Sequence, residues 1–179
     1  MSFAIVTDSL AGLPLNLIAQ KGLVVIPLSY YVNGTEHTCL APEGCDMVGF
    51  YQAMKQKAEV STSMIPPQRF TEPLSPLLSS GLDVLFISAS SGISSSYQSA
   101  CIAAQQLMEA YPGRKIRVVD SLSSTLGEGI LVLRAFGMRE KGMSLDETAD
   151  AVLSLRLHIA HYFTCLLYTS PSPRDPKTS

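Results

Sequence analysis

The 179-residue chain is short of charge, of long apolar runs and of closely spaced cysteines, and each shortage removes a class of function. Only 16% of residues are charged and the formal net charge is −2. That inventory offers no clustered basic surface for nucleic acid, so no nucleic-acid partner is expected. No apolar stretch reaches the ~18 residues that spanning a bilayer requires. Met1-Ser2-Phe3 leads directly into a strand-like segment without a secretory signal, and a cytoplasmic protein is expected. Cys39, Cys45 and Cys101 make no C-x-x-C pair. Metal and redox sites usually need closer thiols or histidine partners. These cysteines read as small buried hydrophobes in a reducing compartment.

Catalytic signatures are missing too. No G-x-x-x-x-G-K-[ST] segment occurs, which excludes a P-loop. Gly92-Ile93-Ser94 supplies half of a nucleophile elbow, but Ser96 replaces the second glycine. His37 falls in a hairpin region, and His158 and His161 fall at the far end of a helix, so Ser94 has no convincing base. Covalent catalysis is not expected, and neither a catalytic residue nor a metal ligand is assigned.

One stretch does not read as protein. Residues 165–175, CLLYTSPSPRD, match one reading frame of a transposase adapter used in sequencing libraries, and such scars are excluded from fold reasoning. Met1 to Thr164 is then expected to be the front part of a longer protein, with 165–179 a disordered, adapter-derived tail. Setting aside Arg174, Asp175 and Lys177 leaves 11 basic and 14 acidic residues, a net charge of −3.

What remains alternates between strand and helix patterns. Ala4–Thr7 is a short apolar run ending in Asp8-Ser9, and Pro14 suits the first turn of a helix running to about Lys21. Val24–Val32 reads as an edge or bulged strand around Pro27, returning at Asn33-Gly34 as a hairpin through Glu36 to Thr38. From Glu43 to Lys57, Met47, Phe50, Tyr51 and Met54 recur at spacings of three and four, which predicts one buried helical stripe. A second helix is predicted from Pro67 to Ser79 with Phe70, Leu74 and Leu77 inward. Asp83–Ser88 follows as a strand covered on both faces. A helix over Ser95–Tyr111, a strand over Lys115–Val119, a helix over Ser124–Lys141 and another over Leu145–Ile159 complete the series. Ser144 and Glu147 open the last with a capping box. Alternation of this kind predicts an α/β domain, a mostly parallel sheet with helices on both faces.

Ligands of open α/β sheets lie beyond the carboxyl ends of the strands. Those ends present Asp8-Ser9, Ser90–Ser96 and Asp120-Ser121. Hydroxyls and helix N-termini converging there suit a phosphate or a carboxylate, although each such residue also serves as a helix cap. Two readings stay open at this point. Asp8 and Asp120 with Mg²⁺ would make a doubly wound phosphotransferase or hydrolase; neutral hydroxyls would make a carboxylate-binding site.

The segments AIVTDSLAGLP, VVIPLSYYVNG, VSTSMIPPQRF, ISSSYQSA and VVDSLSS, in that order and spacing, resemble the DegV family of bacterial fatty-acid-binding proteins, and the likeness covers essentially all of residues 1–164. The resemblance implies a two-domain α/β protein, truncated here before its second domain is complete. It further implies a tunnel holding one long-chain fatty acid, no cofactor and no chemistry of its own. The partner it implies is a separate fatty acid kinase, which would phosphorylate the acyl carboxyl group for phospholipid synthesis; transient membrane contact is also implied. The family's carboxylate-binding residues carry over to Thr62, Ser63 and Ser94. Asp8, Ser9, Ile93, Ser95, Ser96, Asp120 and Ser121 are further candidates for lining the site. Met64, Ile65 and Pro66 depart from the family's Gln, Pro and Ser, and Ser95-Ser96 stand in place of Gly-Thr. The family's R-G-G-R segment and C-terminal histidine have no counterpart in this chain. A charge-assisted hydrogen bond to a carboxylate is worth roughly 1.5–3 kcal/mol and each buried methylene about 0.8 kcal/mol. The acyl chain would supply most of the affinity and the hydroxyls the orientation.

Overall fold

The computed structural model describes residues 3–162, so the expected adapter-derived tail at 165–179 lies outside the described residues. Four strands, β1 (Phe3–Asp8), β2 (Val24–Ile26), β6 (Asp83–Ser88) and β7 (Ile116–Asp120), form a parallel sheet in the order β2-β1-β6-β7. A second sheet of β3 (Ser29–Val32), β4 (Thr35–Thr38) and β5 (Val60–Ser63) is antiparallel, with β3 in the centre. Among the described residues six helices connect them: α1 (Leu15–Lys21), α2 (Met47–Lys55), α3 (Gln68–Ser79), α4 (Ser96–Ala110), α5 (Leu126–Glu140) and α6 (Leu145–Leu155).

Period-two alternation divides each parallel strand between two cores. Phe3 and Ile5 of β1 and Leu85 and Ile87 of β6 face α5 and α6, where Leu131, Val132, Ala135, Phe136, Ala149 and Val152 are buried. Val6, Val84 and Phe86 point the other way, onto Phe70, Leu74 and Leu78 of α3 and Ala100, Ala103, Ala104 and Leu107 of α4. The expected parallel sheet with helices on both faces is therefore present. Small residues along α4 let that helix lie close to the sheet. Phe70 and Phe86 meet edge to face at 5.3 Å between ring centres.

Several details differ from expectation, each for a local reason. The Val24–Val32 run is two strands in two sheets, because Pro27-Leu28 carries the chain out of the parallel sheet after Ile26. The Asn33-Gly34 turn forms as expected, with φ of 48° and 79°. Val60–Ser63 is a strand that its short, hydroxyl-rich sequence does not announce; it pairs with β3 so that Tyr30 faces Thr62 and Ser29 faces Ser63. In α3 the third buried position is Leu78, and Leu77 is only partly covered. The last helix ends at Leu155 and tightens into a 3₁₀ turn at Arg156–His158, while its capping box forms between Ser144 and Glu147.

Two corrections are larger. Cys39 and Cys45 are bonded to each other as a disulfide, with Cα atoms 5.6 Å apart, and both are half-buried rather than reduced core residues. Cys101 remains a free, half-buried thiol. The α2 stripe is not buried: Tyr51 is 55% exposed and Met54 48%, with Met47 also open. Phe50 packs edge-on to Tyr30 at 5.3 Å and Tyr51 edge-on to Phe50 at 5.6 Å, so α2 rests against the small sheet, and among the described residues no element covers its outer face.

Phe86→Ala should destabilise by about 3–5 kcal/mol, since it opens a cavity in a fully packed layer, whereas Tyr51→Ala should change stability by less than about 0.5 kcal/mol. Urea denaturation of both variants checks this; a comparable loss in each would mean that α2 is covered in solution.

Candidate functional site

The order β2-β1-β6-β7 places a topological switch point between β1 and β6: from β1 the chain proceeds to β2 on one side, and β6 proceeds to β7 on the other. Open α/β sheets bind their ligands in the crevice outside the carboxyl ends at such a point. Here the crevice is closed across its base by Asp8. Its Oδ2 accepts from the Ala89 amide at 2.9 Å and its Oδ1 from the Leu10 amide at 3.0 Å. One carboxyl group thus joins the turn after β1 to the loop after β6. Ser9 adds a third link, its Oγ accepting from the Leu28 amide at 3.1 Å and drawing the β2–β3 connection toward the same point.

The loop after β6 is fixed from the far side by Asp120. It accepts from the Ser91 amide at 3.1 Å, from the Ser91 hydroxyl at 2.5 Å and from the Leu122 amide at 3.0 Å. Ser121 is fully buried and its hydroxyl donates to the Ser123 carbonyl. Asp8, Asp120 and Ser121 are accordingly internal struts, and none of the three lines a cavity described here. Asp8 and Asp120 direct their oxygens at amides and hydroxyls of the protein itself. Among the described residues, no three His, Cys, Asp or Glu side chains gather into a metal-holding group.

Hydroxyls do gather above these struts. Thr62 and Ser63 from β5, and Ile93, Ser94 and Ser95 from the loop after β6, line one cavity of about 440 Å³ with Leu10, Leu28 and Met64. Leu10, Leu28 and Thr62 also form part of a second cavity of about 300 Å³, walled by Ser9, Gly12, Ser29, Tyr30, Ala41, Met47, Thr125 and the Cys39–Cys45 pair. Both volumes suit a small-molecule ligand. Thr62 and Ser63 are held on the edge of the small sheet. Ser96 is fully buried behind Ser94. Among the described residues no charged side chain lines either cavity, and Arg69, seven residues after Thr62, is paired with Glu36 at 2.9 Å. The Ser29 hydroxyl, 2.5 Å from Glu36, is the first cause holding that carboxyl below its usual range, ahead of Arg69. The polar part of the crevice is therefore made of neutral hydroxyls and amides.

Sequence reasoning missed Glu128, the most unusual group near the site. It is fully buried on α5, and its Oε1 lies 2.9 Å from the Thr7 hydroxyl, which lies 2.9 Å from the Ile87 carbonyl. Thr7 has one hydroxyl proton and the carbonyl can only accept. A neutral Glu128 donating to Thr7, with Thr7 donating to Ile87, gives both protons an acceptor, while Glu128 Oε2 stays buried without a partner among the described residues. Burial first, and the nearby Asp8 charge second, push Glu128 well above the carboxylate range. Burial likewise raises Asp8 to about 6, against the opposing pull of the Ala89 and Leu10 amides. The signal was available: Glu128 stands three, four and seven residues before Leu131, Val132 and Ala135, on the buried stripe of its helix.

Fold and crevice together define an α/β domain with a hydroxyl-bearing, apolar-walled cavity at its switch point. Comparison with known proteins carries this to a family. The profile described as "Uncharacterised protein, DegV family" matches residues 2–166, and the chain belongs to the DegV family. A DegV domain-containing protein of Clostridium perfringens is 32% identical over 162 residues, covering 90% of this chain and 56% of that protein. Among solved structures, a DegV family protein from Thermus thermophilus, described by its fatty acid binding, superposes with a TM-score of 0.78 at 32% identity, covering 88% of this chain and 54% of the other. DegV from Bacillus subtilis, described as a fatty acid binding protein, gives a TM-score of 0.72 at 25% identity, with coverage of 88% and 53%. The chain spans about half the length of the relatives it matches. Among the described residues no helix is long and apolar enough to cross a membrane.

The buried acid pair makes a testable signature. Both folded pKa values are raised, so each acid contributes stability that is complete below its unfolded pKa and is lost as pH rises through its folded value, about 6 for Asp8. Between pH 4 and pH 7, Asp8 alone should remove about 2 kcal/mol. Glu128→Gln keeps a donor to Thr7 and removes one of the two titrations, so its stability should decline less steeply with pH. Urea midpoints from pH 4 to pH 7.5 measure this; parallel declines in wild type and variant would show that Glu128 is ionised when folded.

Proposed function

We propose that this chain binds a long-chain fatty acid, with the carboxylate held by Thr62, Ser63 and Ser94 and the acyl chain against the apolar walls of the two adjoining cavities. One observation carries the reading. Hydroxyls from two separate segments, β5 and the loop after β6, meet in one cavity whose remaining wall is Leu10, Leu28, Met64 and Ile93. A group with one charged, acceptor-only end and a long apolar body matches that division. The fatty acid binding described for the 32% identical Thermus thermophilus protein supports the same ligand class.

In this reading the protein is a carrier and not an enzyme. A separate fatty acid kinase would phosphorylate the presented carboxylate, forming an acyl phosphate for phospholipid synthesis in the cytoplasm, with transient membrane contact for loading. The resemblance of the hydroxyl-bearing segments to the family's supports this partner. The physical division of labour is favourable: donors hold the carboxylate without a salt bridge, so release to a phosphorylating partner requires no cation to be stripped away. Hydrogen bonds to charged groups are worth about 1.5–3 kcal/mol each, enough to orient the head group while buried methylenes supply the affinity.

Replacing Thr62 and Ser94 together with Ala should weaken fatty acid binding by about 3–6 kcal/mol if the two bonds add. The methyl ester of the same acid, which lacks the charge, should lose much less. Competition of acid and ester against a fluorescent fatty acid measures both. Unchanged affinities for the two ligands in the double variant would mean that these hydroxyls serve only to cap and brace the loops.

A further inference from the structure

Ser94 does not stand alone in the cavity wall. Its Oγ lies 2.8 Å from the Oγ of Ser96 and accepts from the Ser96 amide at 3.2 Å. Ser96 is fully buried at the start of α4, and its own Oγ accepts from the Ile65 amide at 3.0 Å. Ile65 is buried between Met64 of the cavity wall and α3. The two segments that supply the candidate hydroxyls are therefore joined through one side chain, and neither Thr62 nor Ser94 makes that connection.

Counting protons fixes the direction of the chain. The Ser96 hydroxyl has one proton and, among the described residues, one oxygen within reach that can take it, Ser94 Oγ. If Ser94 donated to Ser96 instead, the Ser96 proton would be left without an acceptor in a fully buried position, an expensive arrangement. The satisfied arrangement runs from the Ile65 amide to Ser96 and from Ser96 to Ser94. Ser94 then accepts twice, from the Ser96 amide and the Ser96 hydroxyl, and its own proton remains for the cavity. Each link also polarises the next.

We propose that Ser96 is a positioning residue: it turns the Ser94 hydroxyl proton toward the bound head group and makes that hydroxyl a donor rather than an acceptor. The inference rests on the fatty-acid reading of the site. It makes Ser96 a determinant of ligand class, because a site with a forced donor favours a carboxylate over an uncharged ester.

The test compares palmitate with methyl palmitate in the full chain, for wild type, Ser94→Ala, Ser96→Ala, Ser96→Thr and Ser96→Cys. Wild type should prefer the acid. Ser96→Ala should reduce the ratio of acid to ester affinity about tenfold, the upper range for one hydrogen bond. Ser96→Thr should restore the ratio, and Ser96→Cys, which preserves volume with a much weaker donor, should resemble Ala. Loss of exchange protection at the Ile65 amide in Ser96→Ala reports the missing link independently of ligand. A ratio unchanged in Ser96→Ala and Ser96→Cys but lost in Ser94→Ala overturns the positioning role and leaves the carboxylate site standing. A ratio unchanged in Ser94→Ala as well overturns both.

Discussion

A single buried carboxyl group, that of Asp8, fixes the geometry on which the rest of the crevice depends. At a switch point the two neighbouring strands send their chains in opposite directions, so nothing in the sheet itself prevents the turns beyond them from spreading. Asp8 accepts one amide from each side, Leu10 and Ala89, and so sets the separation between a cavity wall and the root of the loop that presents Ser94. The cost is desolvation, seen in a carboxyl pushed up to about 6. Holding Glu128 neutral beneath it, through Thr7 and the Ile87 carbonyl, avoids a second buried charge.

The same logic runs through the loop after β6. Asp120 pins its first residues from the β7 side, and Ser96 pins its last to the segment after β5. Between these anchors Ser94 and the partly exposed Ile93 line the cavity. A serine-rich sequence that would be mobile on composition alone is thereby given a defined shape, and the hydroxyls left over from bracing are those available to a ligand. The small antiparallel sheet completes the arrangement by carrying Thr62 on an edge strand, where its side chain is exposed and its backbone is held by Tyr30.

Much of this was legible in the chain. Apolar strands ending in Asp-Ser pairs, the Asn33-Gly34 hairpin and the Ser144–Glu147 box depend on local rules, and they appear where those rules put them. What was not legible depends on partners distant in sequence. Val60–Ser63 becomes a strand only because β3 lies beside it. The α2 stripe has the spacing of a buried face, yet periodicity says nothing of whether an element is present to bury it. The Cys39–Cys45 bond follows from a turn at Pro42–Gly44 that brings two unremarkably spaced residues together. At the site, residue types were readable and roles were not: Asp8 and Asp120 looked like chemistry and are struts, while Ser96, grouped with the lining residues, lies buried behind them.

In the proposed site the carboxylate of a fatty acid rests between the β5 edge and the loop after β6. Palmitate labelled with ¹³C at its carboxyl carbon, bound to the full chain and observed by isotope-edited NMR, tests this directly. Contacts from the labelled carbon to protons of Thr62 and Ser94 are expected, together with a shifted Ile65 amide. Contacts to Asp120 or Ser121 instead, or a carboxyl resonance that stays at its free position while the acyl chain is bound, would contradict it.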